Sequence, residues 1–205
     1  MITEEMLAPL RDEVCAILSE HRFRHTLAVE KAARFLAEHC LPDKITEIAA
    51  AAILHDVTKE LSVEDQVRIV SENGLDADVN DKSFSKVAHS YTAPIFVKEK
   101  FPAFATPEVL SAIEKHTLGD VNMTVFDKII FLADFIEKNR TYEDCISTAK
   151  FVYDSMKLGE VSENVSILDK ACIMEIDSTI NSLIKRNLSV NERTLLTRSA
   201  LISKK

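Results

Sequence analysis

The chain has 205 residues, 46% of them hydrophobic, with three glycines, five prolines and no tryptophan. So few glycines leave little material for tight turns or hairpins, and the composition predicts one all-α domain. The net charge of −8 argues against general binding of nucleic acid, which requires a basic face.

Apolar residues recur at three- and four-residue steps through the first half of the chain, which is the spacing of amphipathic helices. We predict five helices there: over residues 3–20, from about 22 to 40, from the Pro42 region through Thr58, from Ser62 to Asn73-Gly74, and one that carries His89 and ends near Lys100. Pro42 marks a boundary because proline cannot continue a helix interior, and Ser62 is a candidate N-cap. Residues 75–84 are predicted to form a polar loop.

In the second half, two threonines are candidate N-caps. Thr106 precedes a helix that we predict to run through His116, and Thr124 precedes the strongly apolar helix VFDKIIFLADFIEK. A loop over residues 117–123 separates these two helices. Two or three further helices are expected within residues 143–198.

The cysteines, the first residues and the lengths of the apolar stretches indicate the cell compartment. No two of the four cysteines form a CxxC pair, which argues against a zinc ribbon or a redox motif. Their positions on apolar faces predict free core thiols in a reducing cytosol: Cys15, Cys40, Cys145 and Cys172. The start MITEEMLAPL lacks the basic region of a signal peptide. No uncharged stretch reaches the ~20 apolar residues of a membrane span. We expect a cytoplasmic protein without membrane contact.

The most informative feature is the dipeptide His55-Asp56, at the end of the alanine-rich run in AAAAILHDVTK. A soluble helix would normally bury aliphatic side chains at this place. Burying a carboxylate without a partner costs several kcal/mol, about 2 at the least. The run therefore predicts a cation that compensates Asp56, and a metal ion is the leading candidate.

Four further residues could complete such a site. His25 lies on an apolar helical stripe, where a core histidine bonded to a carbonyl is the ordinary alternative. His89 taken alone could be a surface residue, and His116 could interact with the dipole at the end of its helix. Asp134 lies in IIFLADFI, where an unpaired buried carboxylate would be so costly that a cation partner is favoured.

Together these positions form an ordered set of histidine and carboxylate ligands: His25, His55, Asp56, His89, His116 and Asp134. Mixed ligands of this kind suit Fe, Mn, Zn or Co rather than Mg or Ca alone, and six exceed the need of one tetrahedral zinc. Two adjacent metals that share Asp56 would use all six, and could activate water and neutralise phosphate oxygens. The remaining histidines, His21 and His39, are expected to be ordinary surface residues.

The segments RFRHTLAVEKAARFLAEH, AAILHDVTKELS and AIEKHTLGDVNMTVFDKIIFLADFIEKNR resemble the HD-domain superfamily of metal-dependent phosphohydrolases. More closely, they resemble the YqeK family, the bacterial symmetrical bis(5′-nucleosyl)-tetraphosphatases of HD type. The similarity spans about residues 22–142 and weakens beyond. It implies an all-α HD-domain bundle over 1–142, with additional C-terminal helices over 143–205 packed on the same domain. It also implies two divalent metals, iron first, and cleavage of diadenosine tetraphosphate to two ADP.

The resemblance also implies roles for individual residues. One metal would be held by His25, His55, Asp56 and Asp134, and the second by Asp56, His89 and His116, with Asp56 bridging as a catalytic residue. Lys59 completes the motif HDxxK as a second catalytic residue. It lies four residues after His55, on the same helix face, and could reach a phosphate oxygen. The candidate substrate contacts are basic: Arg22, Arg24, Lys59, Lys138 and Arg140.

The chain departs from the family pattern at two places. The segment HTLGD stands where the family usually has HTTGR, so that Leu118 replaces a hydroxyl and Asp120 an arginine. An acid beside a polyphosphate repels it unless the acid pairs with a lysine or points away. The segment EKNR replaces EPxR and would bring Lys138 to the substrate.

These departures leave two alternatives open besides the tetraphosphatase. The first is an HD-type nucleotidase or phosphatase that acts on another nucleotide, and the second is a non-catalytic nucleotide-binding regulatory module. In each case the partner is a nucleotide. A homodimer is also compatible with the sequence.

Overall fold

The structure, a computed structural model, describes residues 2–75 and 84–203. Within these ranges it contains ten α-helices and no strand: α1 (Glu4–Ile17), α2 (Glu20–Cys40), α3 (Ile45–Leu54), α4 (Val63–Glu72), α5 (Phe84–Lys100), α6 (Pro107–Lys115), α7 (Val125–Ile136), α8 (Glu143–Ser155), α9 (Val161–Lys185) and α10 (Glu192–Ser203). The predicted all-α fold is confirmed.

The boundary between α1 and α2 is set by a cap. Ser19 has extended backbone angles, and its side chain accepts a hydrogen bond from the Arg22 amide, so that α2 begins at Glu20. Helix α1 therefore ends at Ile17, before the predicted position 20. The other predicted N-caps are Ser62, Thr106 and Thr124, and each accepts a hydrogen bond from the amide three residues on. Local capping chemistry is thus readable from the sequence here.

Helix α3 is shorter than predicted. It ends at Leu54 rather than Thr58, and the chain continues in turns through Glu60. The amides of Val57 and Lys59 donate to carbonyls three residues back, not four, so the chain tightens after the helix. His55 and Asp56 therefore lie in this tightened segment, directly after the last residue of α3.

The core is built around α2, which packs against α3 and α7, while α6 packs on α7 and α5 on α6. Helix α9 covers α7, α8 and α2, and α10 lies against α9. Among the described helices, none is both long enough and apolar enough to cross a bilayer. The predicted loop over 75–84 falls almost entirely on residues outside the described ranges.

Two predictions about single side chains were wrong. His39 is not a surface residue: it is buried, its Nδ1 lies 2.8 Å from the Phe35 carbonyl, and its ring packs on the Phe35 ring. Cys15 is not a core thiol but is exposed, because it lies on the outer face of α1; the other three cysteines are buried and free as expected. In both cases the sequence shows a helix but not which neighbour covers its side.

Candidate metal centre and its surroundings

The structure brings all six predicted metal ligands into one cluster. They come from five places in the fold: His25 in α2, His55 and Asp56 in the turns after α3, His89 in α5, His116 at the end of α6 and Asp134 in α7. The four imidazoles and Asp56 are buried, and the Asp134 side chain is 24% exposed. Residues up to 109 positions apart in the sequence are therefore neighbours in one site.

Asp56 lies in the middle of the cluster, and its two oxygens face different partners. Oδ2 lies 3.5 Å from His55 Nε2 and 3.7 Å from His25 Nε2. Oδ1 lies 3.3 Å from His89 Nε2 and 3.6 Å from His116 Nε2. The carboxylate thus divides the cluster into two parts, which we call the His25 end (His25, His55 and Asp134) and the His89 end (His89, His116 and Thr117).

The His25 end is rich in charge. His25 Nε2 lies 3.1 Å from Asp134 Oδ1, and His25 Nδ1 lies 3.3 Å from the buried carboxylate of Glu137. One ligand atom from each of His25, His55 and Asp134 falls within 4.8 Å of the others, a spacing that suits a single ion. Glu137 would orient the His25 ring from behind, as carboxylates do for metal-ligating histidines.

The His89 end consists of imidazoles and a hydroxyl. The Nε2 atoms of His89 and His116 lie 3.0 Å apart, and Thr117 Oγ1 is 3.0 Å from each of them. His55, Asp56 and His116 form a second group whose ligand atoms lie within 4.8 Å of one another. Two neighbouring positions in this cluster could therefore each receive an ion.

The hydrogen bonds of two histidines fix their tautomers. His55 Nδ1 lies 2.7 Å from the Ala52 carbonyl and His116 Nδ1 lies 2.6 Å from the Ile113 carbonyl. A carbonyl can only accept, so Nδ1 carries the hydrogen in both rings and the Nε2 lone pairs point into the cluster. This is the arrangement that a metal-ligating histidine needs.

Whether these residues fit metal ions can be tested by asking which of their buried nitrogen and oxygen atoms have hydrogen-bond partners. Three buried atoms of the cluster have no hydrogen-bond partner among the described residues: His25 Nε2, His55 Nε2 and Asp56 Oδ1. The contact of His25 Nε2 with Asp134, although short, does not have the geometry of a hydrogen bond. Buried polar atoms without partners are costly and uncommon. Cations at these positions would satisfy all three, so the donor set fits divalent ions.

The histidines of the cluster differ in protonation, and His25 is the exception. Burial lowers the pKa of His55 to about 4 and that of His89 well below its ordinary value. Burial also acts against a charge on His25, but Asp134 and Glu137 outweigh it and raise the His25 pKa to about 9. Burial alone would raise the pKa of Asp56, yet the neighbouring histidines and Lys59 hold it well below its usual range. Asp56 is therefore an anion, and His89 is a neutral imidazole.

The predicted basic contacts take different positions. Arg22 Nη1 lies 2.9 Å from Asp56 Oδ2, and Arg140 Nη2 lies 2.5 Å from Asp134 Oδ1. Lys59 Nζ lies 3.0 Å from His89 Nε2 and 4.0 Å from Asp56 Oδ1. Arg24 is exposed at the rim of a cavity beside the His25 end. Lys138 is exposed and lines a different cavity, so the structure does not bring it to this site.

The family departures at Leu118 and Asp120 are explained by α10. Leu118 is buried, and its carbonyl accepts hydrogen bonds from Thr194 and Thr197. Asp120 Oδ2 lies 3.8 Å from Arg193 Nη2, so the acid faces a cation of α10. Asp120 is therefore paired, with an arginine of α10 rather than with the lysine expected from the sequence.

The same contacts fix the loop that carries Thr117. Arg193 Nε donates to the Gly119 carbonyl at 2.6 Å. Gly119 has φ +73°, and a Cβ there would lie 2.5 Å from Thr197 Cγ2, so both the backbone angle and the close approach of α10 require glycine. Helix α10 thus holds the loop next to the His89 end.

Sequence reasoning missed three residues that the structure places at the site or behind it: Glu137, Thr117 and Arg193. Glu137 and Thr117 were within motifs that the ligand search already used, ADFIEKNR and HTLGD, and a search for partners of the histidines could have found them. Arg193 carried no comparable signal, because its partners lie 74 and 79 positions earlier in the chain.

The chain is similar to known proteins over most of its length. The HD domain family model matches residues 22–139. A symmetrical bis(5′-nucleosyl)-tetraphosphatase from Bacillus subtilis is 32% identical over 204 residues, 99% of each chain. A protein of the same name from Halalkalibacterium halodurans is 30% identical and is aligned over 90% of this chain and 91% of its own length.

A solved structure extends the likeness to the fold. A predicted HD superfamily hydrolase from Clostridium acetobutylicum, described as involved in NAD metabolism, superposes with a TM-score of 0.78 at 27% identity. The superposition covers 97% of this chain and 98% of that one. The C-terminal helices are therefore shared with this relative, and not an addition of this chain.

Proposed function

This chain belongs to the HD-domain family, and we propose that it hydrolyses diadenosine tetraphosphate to two ADP with two divalent metal ions. The two bacterial relatives that bear the name of this activity align with nearly the whole chain, including the C-terminal helices. The proposal also draws on the donor set of the cluster, whose buried unpartnered atoms fit cations. We place the activity in the cytoplasm, where free cysteines such as those of this chain remain reduced.

The observation that carries the proposal is the central position of Asp56. Its Oδ2 faces His25 and His55, and its Oδ1 faces His89 and His116. A carboxylate in this position supports a bridging role between two ions. We therefore assign His25, His55, Asp56 and Asp134 to one ion, and Asp56, His89 and His116 to the other.

Metal ions bound there would supply positive charge that activates water and neutralises phosphate oxygens. Iron is our first candidate, with manganese, cobalt and zinc as the others, because mixed histidine and carboxylate ligands suit these metals. The neutral tautomers of His55 and His116 leave their Nε2 lone pairs ready for such an ion.

Three side chains of this chain would bind the polyphosphate. Lys59 Nζ lies beside His89 and within 4.0 Å of Asp56, so it can contact a phosphate oxygen at the centre of the site. Arg22 and Arg140 are ion-paired with Asp56 and Asp134 and also line the adjacent cavity. Each arginine contacts its carboxylate through one nitrogen. A phosphate that replaced the carboxylate could be bound through two nitrogens, which favours substrate entry on this side.

The reaction requires the central anhydride of the substrate to lie at Asp56. Water adds to one of the two inner phosphorus atoms, the bond from that phosphorus to the bridging oxygen breaks, and each half leaves as ADP. Lys59, Arg22 and Arg140 oppose the charge that develops on the phosphate oxygens. Substrates that are symmetrical about this bond can bind in either direction with the same result.

We also infer that residues 143–205 belong to the same domain as the core. The contacts of α9 with α2 and α7, and the hydrogen bonds from Arg193, Thr194 and Thr197 to the loop after His116, support this inference. A chain ended at residue 142 would then fail to hold that loop in place.

The test is a product analysis on protein purified without oxygen and loaded in turn with iron, manganese and cobalt. Diadenosine tetraphosphate, other dinucleoside polyphosphates and nucleoside monophosphates would be offered separately, and products separated by chromatography. The proposal predicts ADP as the nucleotide product from diadenosine tetraphosphate. ATP with AMP would contradict symmetrical cleavage, nucleosides from monophosphates alone would support the nucleotidase alternative, and binding without turnover would support the regulatory module.

A further inference from the structure

A cavity of about 390 Å³ opens beside the His25 end of the cluster. Its inner wall includes His25, Arg22 and Arg140, which contact the carboxylates of the site. Its volume is at the lower end of the range for ligand cavities, the size of a fragment such as one nucleotide. The cavity is thus continuous with the place where the polyphosphate chain would lie.

The lining of the cavity is cationic, although the chain carries a net charge of −8. It includes three arginines, Arg22, Arg24 and Arg140, and the carboxylate of Glu137. Arg22 and Arg140 also pair with the carboxylates of Asp56 and Asp134. Arginines brought together in an acidic protein indicate an anionic ligand, since guanidinium groups bind phosphate in a fixed two-pronged geometry.

The outer wall of the cavity has a different character. It is formed by His21, Asn139, Thr141 and Tyr142, all of them exposed. Tyr142 is 73% exposed to solvent, as is Leu158. An aromatic ring left in water at the mouth of a cationic cavity offers an apolar face that a planar ligand can cover.

We propose that this cavity binds one nucleoside diphosphate half of the substrate, with the nucleobase stacked on Tyr142 and the phosphates on Arg22 and Arg140. The proposal rests on the proposed function and adds that one half of diadenosine tetraphosphate lies in the cavity beside the His25 end. The order of the walls, cationic next to the metal cluster and aromatic at the rim, matches the order of phosphate and base in the ligand. Asn139 supplies an amide at the rim, a group that can pair with the donor and acceptor edge of adenine.

The experiment compares Tyr142→Ala with Tyr142→Phe, which keeps the aromatic face. Leu158→Ala is the matched control, because Leu158 is equally exposed but lies away from the cavity lining. The measurements on metal-loaded protein are KM and kcat for diadenosine tetraphosphate, binding of the fluorescent analogue etheno-ADP, and binding of inorganic tripolyphosphate, which lacks a base.

Stacking of a base on an aromatic side chain predicts that Tyr142→Ala raises both KM and the Kd of etheno-ADP about tenfold. Tripolyphosphate binding and kcat should stay unchanged, Tyr142→Phe should restore binding, and Leu158→Ala should bind as the unmodified protein. Equal losses for etheno-ADP and tripolyphosphate, or unchanged etheno-ADP binding in Tyr142→Ala, would overturn the proposal.

The two proposals fail in different ways. If diadenosine tetraphosphate is not hydrolysed by the unmodified protein, yet Tyr142→Ala still loses etheno-ADP binding, the base site stands and the proposed function falls. If the substrate is hydrolysed with the same KM by Tyr142→Ala, the proposed function stands and the base site falls.

Discussion

The His25 end and the His89 end of the cluster share Asp56 but differ in charge. The His25 end contains an imidazole whose pKa is raised to about 9, and its carboxylates are paired with Arg22 and Arg140. At the His89 end, burial keeps His89 neutral and Thr117 bridges two imidazoles. A cation must displace a proton and ion-pair partners at the first end, whereas His89 at the second end is already neutral.

The two ends are also supported by different C-terminal helices. Helix α9 packs against α7, the helix that carries Asp134 of the His25 end. Arg193 of α10 holds the loop next to the His89 end. The two metal positions that we propose thus share one carboxylate, but they differ in the groups that compete with the ion and in the helix that packs behind them. Substitutions at one end should therefore affect one ion more than the other.

The largest effect is expected for the residue that both ends share. Asp56→Asn removes the charge from the centre of the cluster, so that both ions lose a ligand, and ADP formation should fall by about 10³-fold or more. Metal analysis should show loss of both ions. Asp12→Asn, at an exposed carboxylate of α1, is the control and should retain both. Full activity of Asp56→Asn at full metal loading would refute the shared-ligand account.

Substitutions at one end should separate the two ions. His25→Asn and His89→Asn are each expected to lower turnover about 100-fold, because each removes a ligand of one ion. Metal analysis should show one ion lost and the other kept in each variant. Loss of both ions in each variant would contradict the assignment of one ion to each end of the cluster.

A smaller effect is expected from the support of the His89 end. Arg193→Ala removes the donor to the Gly119 carbonyl, so that Thr117 and His116 lose their fixed position, and kcat should fall about tenfold. Arg198→Ala is a control on the same helix, since Arg198 pairs with Asp177 of α9 instead of the loop. If both variants lose the same activity, α10 contributes stability alone.

The smallest effect concerns stability at the back of the His25 end. Burial and the nearby Asp134 raise the pKa of Glu175 well above its ordinary value, and its Oε2 is a buried atom without a hydrogen-bond partner. The folded protein therefore holds this proton more tightly than the unfolded chain does, so Glu175 costs stability as pH rises above the unfolded pKa near 4.5.

Glu175→Gln should thus raise the free energy of unfolding by about 1 kcal/mol at pH 8, with the gain vanishing below pH 4.5. Urea unfolding at several pH values measures this difference. Glu163→Gln, an exposed residue of the same helix, is the control and should show no such dependence. A gain that is equal at pH 4 and pH 8 would show that the charge of Glu175 is not responsible.

The sequence predicted those features that are encoded locally. The caps at Ser62, Thr106 and Thr124 are local, and so are the apolar stripes that identify the helices. The clustering of the six ligands followed from the cost of burying Asp56 and Asp134 and from the family resemblance. The resemblance, rather than spacing, proposed which ligands share an ion.

What could not be predicted depends on contacts between distant segments. Helix α3 ends at Leu54, and in the turns that follow Thr58 forms a hydrogen bond with Thr92 of α5. The ion pair of Asp120 with Arg193 likewise joins the loop after α6 to α10. His39 was placed wrongly for the same reason, since its burial depends on packing that a single helix does not reveal. A one-dimensional pattern identifies a helix face but not the element that covers it.

The central claim is that two ions held by a shared Asp56 are needed to cleave diadenosine tetraphosphate at its centre. The most direct measurement titrates metal-free protein with iron under anaerobic conditions and follows ADP formation at each ratio of metal to chain. We predict that activity rises up to two ions per chain and that ADP is the nucleotide product throughout. Full activity at one ion per chain, or activity in the metal-free protein, would contradict the claim.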